Sequence, residues 1–109
     1  MNSVNGYLVT FYTQQDRRHG HQQISEWLMD LARDLGFEGA TLNVATEGFG
    51  RDRKLHSAHF IELSDMPVQL SLAITEQECN TLFERLEADG VQVFFIKVPI
   101  EMGTSGRHS

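Results

Sequence analysis

The chain has 109 residues, enough for one hydrophobic core and too few for two. With 40% hydrophobic and 22% charged residues it reads as an ordinary globular domain, and its net charge of −6 argues against a general nucleic-acid binder, which needs a basic face for phosphates. Cys79 is the only cysteine, so no internal disulfide can form; no apolar run approaches the roughly 18–20 residues of a membrane span, and "MNSVNGYLVTF" lacks the basic-then-apolar pattern of a secretory signal, so the expectation is a cytoplasmic protein without membrane insertion.

Residues 6–13, "GYLVTFYT", are rich in β-branched and aromatic types and read as a strand. The polar stretch "QQDRRHGH" (14–21) breaks the pattern. Ile24, Trp27, Leu28, Leu31 and Leu35 then recur at steps of three and four, which predicts a helix with one buried stripe, stopped at Gly36. In 39–50, "GATLNVATEGFG", the alternation of Ala40, Leu42 and Val44 against Thr41, Asn43 and Ala45 predicts a half-buried strand. "SAHFIEL" (57–63) is compatible with an extended segment. Pro67 opens the clearest strand, with Val68, Leu70, Leu72 and Ile74 on one face and Gln69, Ser71, Ala73 and Thr75 on the other. Thr75 and Glu78 have capping-box spacing, so a second helix begins there, with a stripe of Cys79, Leu82, Phe83 and Leu86 and a stop at Gly90. "VQVFFIKVPI" (91–100) is a final apolar strand, and the tail from 102 reads as loose.

The order β-α-β-β-α-β predicts an α+β ferredoxin-like sandwich in a single domain, 1–109, with an antiparallel sheet and both helices on one face. Following the chain reversals places the loops at 14–21 and 47–57 and the turn at 88–90 at one end. That end holds Arg17, Arg18, Arg51, Arg53 and Lys54, five of the nine basic residues, together with the first helix's N-terminus. Cations and helix N-termini favour anions, so one end of an acidic molecule is suited to them. The open sheet face needs cover, and the apolar alternation in Val68–Ile74 and Val91–Ile100 offers surface for both sides, which predicts self-association.

"GFG" at 48–50 is no dinucleotide fingerprint, since Arg53 stands where the third glycine belongs; by itself it reads as a hairpin connection. "RDRK" (51–54) by itself is a solvated loop. His19, His21, His56 and His59 are candidate metal ligands, with Glu47 or Asp52 to complete a site, although no strong ligand spacing is present. Cys79 lies in a helix stripe and reads as core, Glu76 and Glu78 suit the start of a helix, and no nucleophile–base pair is legible, so no enzyme is expected.

"GATLNVATEGFGR", followed by "LHSAH" and "LSDMPV", resembles the PII-like signalling proteins of the nitrogen-regulatory PII superfamily, in the branch known as a PII-like domain of unknown function. The likeness runs over about residues 6–100. It implies a ferredoxin-like subunit assembling as a homotrimer, with three sheets lining a central barrel. The segment 47–57 would be the T-loop, which changes shape with an effector and docks on a target such as a transporter or enzyme. Adenine nucleotides, ADP or ATP, bind between subunits in PII relatives. The resemblance therefore implies effector contacts at Gly48, Phe49, Gly50, Arg51 and Asp52, and partner contacts at Arg53, Lys54 and His56. The sequence departs from the nitrogen-regulatory PII proteins at Asp52, where they carry glutamine, and at "EADGVQ", where they carry a glycine- and lysine-rich phosphate loop. It also lacks a T-loop tyrosine. Sensing of 2-oxoglutarate is accordingly not implied. The CutA-type proteins share the fold and trimer and are linked to divalent metals, which makes metal homeostasis the alternative reading.

Overall fold

A computed structural model of the chain describes residues 2–44 and 67–106, and the backbone of 47–49 and 55–57. The elements in chain order are β1 (Ser3–Gln14), β2 (Arg18–His19), β3 (Gln22–Gln23), α1 (Ile24–Asp34), β4 (Thr41–Val44), β5 (Glu47–Phe49), β6 (Leu55–Ser57), β7 (Pro67–Thr75), α2 (Glu76–Ala88) and β8 (Phe94–Gly103). The main sheet has the order β4-β7-β1-β8, every neighbouring pair antiparallel. β1 and β4 are thus the outer strands of a split βαβ unit with β7 between them, which is the ferredoxin-like arrangement expected from the element order.

One face of the sheet forms the core. Val9 and Phe11 of β1 and Leu70, Leu72 and Ile74 of β7 pack against Ile24, Leu28, Leu31 and Ala32 of α1 and Cys79, Leu82 and Leu86 of α2 in a single cluster. The two-residue periodicity of the strands and the three-to-four spacing of the helices therefore converge on the same buried layer. Trp27 and Phe83, expected in the stripes, are only partly buried at its margin.

Both helices end alike. Past α1, the N–H of Gly36 donates to the Arg33 carbonyl and that of Phe37 to the Ala32 carbonyl; past α2, Gly90 donates to Glu87 and Val91 to Leu86. These are paired Schellman closures, and they require the left-handed backbone that Gly36 and Gly90 adopt, at φ 77° and 67°. At the start of α2 the capping box is complete: Thr75 Oγ1 accepts from the Glu78 N–H at 3.1 Å, and the Thr75 N–H donates to Glu78 Oε1 at 2.9 Å.

Several boundaries and two burial patterns differ from the sequence reading. β8 begins at Phe94 instead of Val91, because the helix closure takes the Val91 N–H. It runs on to Gly103, paired with Ser3, through residues read as loose tail. β1 likewise starts at Ser3. All four residues of β4 are exposed, with Leu42 at 43% and Val44 at 46%, because β4 is an edge strand bordered only by β7. The open face of the sheet is also divided unexpectedly. Its β7 side is polar (Gln69 and Ser71, the latter within 3.2 Å of Thr10 Oγ1), while the apolar surface comes from β1 and β8. There Val4, Leu8, Phe94, Ile96 and Val98 are 38–52% exposed.

Candidate functional site

The register fixes which loops meet. Gln14 pairs with Pro67, Val44 with Val68, and Tyr12 with both Gln69 and Phe94, so β1 and β4 end where β7 and β8 begin. The segment 15–23, the ribbon that follows β4, and the turn after α2 therefore share one end of the sheet, as the chain reversals predict. A direct bond ties two of them: Arg17 Nη2 donates to the Gln92 carbonyl at 3.3 Å.

The segment read as a polar break contains a small hairpin. Arg18 pairs with Gln23 and His19 with Gln22, and Gly20 opens the two-residue turn at φ 65°. Backbone bonds anchor it, from the Arg17 N–H to the Gln14 carbonyl and from the Ile24 N–H to the Arg17 carbonyl. Gln22 Nε2 donates to Asp30 Oδ2 at 2.6 Å and fastens the hairpin to α1. The only sequence signal for it was Gly20 between two polar pairs, because two-residue strands carry no hydrophobic period. Near the end of β1, Thr13 is 8% exposed, and its Oγ1 has no hydrogen-bond partner among the described residues.

The expected site residues are placed unevenly. Glu47–Phe49 pairs antiparallel with Leu55–Ser57, setting Gly48 opposite His56 and Phe49 opposite Leu55. The glycine-flanked segment thus forms a ribbon, in agreement with the hairpin reading of "GFG". Gly50, Arg51, Asp52, Arg53, Lys54 and His59 lie outside the described residues, as does the extended segment expected at 57–63 except for Ser57, the last residue of β6. Arg17 is half-buried and Arg18 exposed, its Nη1 donating to the His21 carbonyl at 3.0 Å.

The metal candidates separate. The His19 ring meets Trp27 edge-on with centroids 5.4 Å apart, so its place is explained by packing, while His21 is exposed at the hairpin tip. No group of three or more His, Cys, Asp or Glu side chains among the described residues is disposed to hold a metal. Cys79 is buried, and its thiol is pushed above its ordinary value of 9.0 by burial; Lys97 opposes this and the Glu76 carboxylate adds to it. A thiol held protonated is a poor nucleophile, which agrees with reading Cys79 as core.

A cleft of about 320 Å³ opens at the opposite end of the sheet, lined by Tyr7, Glu76, Pro99 and Glu101 among others. Its charged lining is acidic, the reverse of what an anionic effector requires, so the end bearing Arg17 and Arg18 is the candidate site. Among the described residues no helix is long and apolar enough to cross a membrane.

Residues 6–93 match the family DUF190, described as "Uncharacterized ACR, COG1993". A UPF0166 protein of Aquifex aeolicus (strain VF5) is 24% identical over 88 residues, covering 80% of this chain and 84% of that protein. Among solved structures, CPII, a nitrogen regulatory PII-like protein from Thiomonas intermedia K12 bound to ADP, AMP and bicarbonate, superposes with a TM-score of 0.68 at 15% identity, over 94% of this chain and 92% of CPII. A PII-like candidate signaling protein from Thermus thermophilus gives a TM-score of 0.61 at 17% identity, over 94% and 92% of the two chains. The fold is PII-like.

Proposed function

Because the chain belongs to the DUF190 family and has a PII-like fold, we propose that it is a non-enzymatic regulator whose subunits form a homotrimer and bind a small anionic effector between them. The effector is an adenine nucleotide, the ligand class named for CPII, which carries ADP and AMP. It is held near Gly48, Phe49, Gly50, Arg51 and Asp52, and binding reorders the ribbon 47–57. That ribbon presents Arg53, Lys54 and His56 to a target protein.

The observation that carries this reading is the convergence of the Arg17–Gln92 bond, the anchored hairpin and the paired backbone of 47–49 and 55–57 at one end of the sheet. Effector binding biases an existing loop equilibrium only through contacts that differ between its states. A change in the ribbon leaves the core undisturbed, because the core lies on the helix-covered face of the sheet.

Thermal-shift titration with ADP, ATP, AMP, cyclic nucleotides and divalent metals tests it. A ligand at one hundred times its dissociation constant stabilises by about 2.7 kcal/mol, so at millimolar ligand a dissociation constant of about ten micromolar gives that full shift. Stabilisation by an adenine nucleotide, weakened more than about tenfold by replacing Arg51, Arg53 and Lys54 with serine, is the expected outcome. Stabilisation by divalent metals alone would overturn it in favour of a CutA-like metal role for His19, His21, His56 and His59.

A further inference from the structure

Phe95 stands near the start of β8, at the end where the loops meet. It is paired with Phe11 and so lies on the helix-covered face, yet it remains 43% exposed. β8 is an edge strand, and α2 reaches Phe95 through Phe83, whose ring centroid is 4.6 Å away; Phe11 is at 6.4 Å. The ring is therefore braced from the core while much of the residue stays open to solvent. Two residues along the same face, Lys97 holds its Nζ 4.2 Å from the centroid of Tyr7 and 5.9 Å from that of Phe83. Three residues before Phe95, the Gln92 carbonyl holds the Arg17 guanidinium.

An exposed aromatic surface, braced from behind and set between two cations, is complementary to a ligand with a flat ring and an anionic tail. We propose that Phe95, backed by Phe83, is the surface on which the base of a nucleoside phosphate stacks, with the phosphate directed toward Arg17. The proposal rests on the nucleotide reading above and adds to it the residue that receives the base. Stacking suits this position because every base has a π-face, and Phe95 offers no hydrogen-bonding group that would select one base over another. The pinned Arg17 loses little freedom on meeting a phosphate, which favours binding by preorganisation.

Calorimetric titration of ADP and of inorganic pyrophosphate into the full chain tests this, using wild type, Phe95→Leu and Phe95→Trp. Wild type should bind ADP more tightly than pyrophosphate. Phe95→Leu should weaken ADP about tenfold, the size of one base–aromatic stack, and leave pyrophosphate unchanged. Phe95→Trp should retain ADP, with its added indole emission quenched by ADP and not by pyrophosphate. Unchanged ADP affinity in Phe95→Leu would overturn the stacking assignment and leave the nucleotide reading standing. Equal losses for both ligands, or a loss accompanied by subunit dissociation in light scattering, would overturn it too, by making Phe95 a structural or subunit-contact residue. A wild type that binds neither ligand would remove the nucleotide reading and the platform with it.

Discussion

Replacing Ile96 with glutamate tests the assembly that the proposed effector site presupposes. Ile96 sits on the open face of β8, opposite Thr10, and is 45% exposed in the single chain. Full burial of an isoleucine contributes about 1.5–3 kcal/mol, so covering the remaining half contributes about 1 kcal/mol per copy. A carboxylate in the same place must shed water without a cationic partner on its own sheet face among the described residues, at a cost of several kcal/mol, roughly 3 or more. The combined change of about 4 kcal/mol per copy moves the dissociation midpoint by more than about a thousandfold. The fold of the subunit should survive, because the core is built on the opposite face from Val9, Phe11, Leu70, Leu72 and Ile74. Sedimentation velocity at micromolar concentration should give wild type about three times the 12.4 kDa of one chain, and Ile96→Glu the mass of one chain with unchanged far-ultraviolet dichroism. A variant that sediments like wild type would refute the use of this face. A wild type of one-chain mass would refute the assembly itself.

Three further outcomes follow from local geometry. Thr75→Ala removes the acceptor for the Glu78 N–H and half of the capping box, so it should cost about 1 kcal/mol and lower the melting temperature by roughly 4 °C. Gly90→Ala meets no neighbour within 4 Å but must hold a Cβ at φ +67°, so chemical denaturation should show a loss of about 1–2 kcal/mol from backbone strain alone. The raised folded-state value of Cys79 means that the native state keeps the thiol proton longer than the unfolded chain does. Its contribution is complete below pH 9.0 and declines as pH rises above that, so wild type should lose more stability between neutral and strongly alkaline pH than Cys79→Val does, by urea titration at each pH.

The parts of the fold that are legible in the sequence are those whose side chains have only one buried direction. Val68, Leu70, Leu72 and Ile74 alternate because β7 is a central strand with one covered face, and Ile24, Leu28 and Leu31 repeat because α1 presents one stripe. Thr75 and Glu78 announce the start of α2 through a bond that needs only three residues of chain. Legibility fails at the edges. β8 is apolar on one face, with Phe94, Ile96 and Val98, but mixes Phe95 with Lys97 and Glu101 on the other, and its apolar face is the open one, so its pattern indicates neither which face is covered nor where the strand ends. β4 alternates on paper, but an edge strand beyond the reach of the helices buries neither set of side chains.

The candidate site is less legible because it is a product of tertiary placement. Counting chain reversals brings the right loops to one end, since the handedness and order of the strands constrain it. No local pattern pairs Arg17 with Gln92, which are 75 positions apart, or sets Lys97 over Tyr7. The chain's overall charge of −6 is also a poor guide to that end. Fields from exposed charges fade over roughly 10 Å at ordinary salt, while β1 alone spans about 40 Å from its first residue to its last. The carboxylates of Glu76 and Glu101 at the far end are therefore screened from Arg17, and the charge met at the loops is set by the residues there, Arg17 and Arg18 beside Asp16 and Asp89. A net charge summed along the sequence therefore says little about either end, because screening separates them.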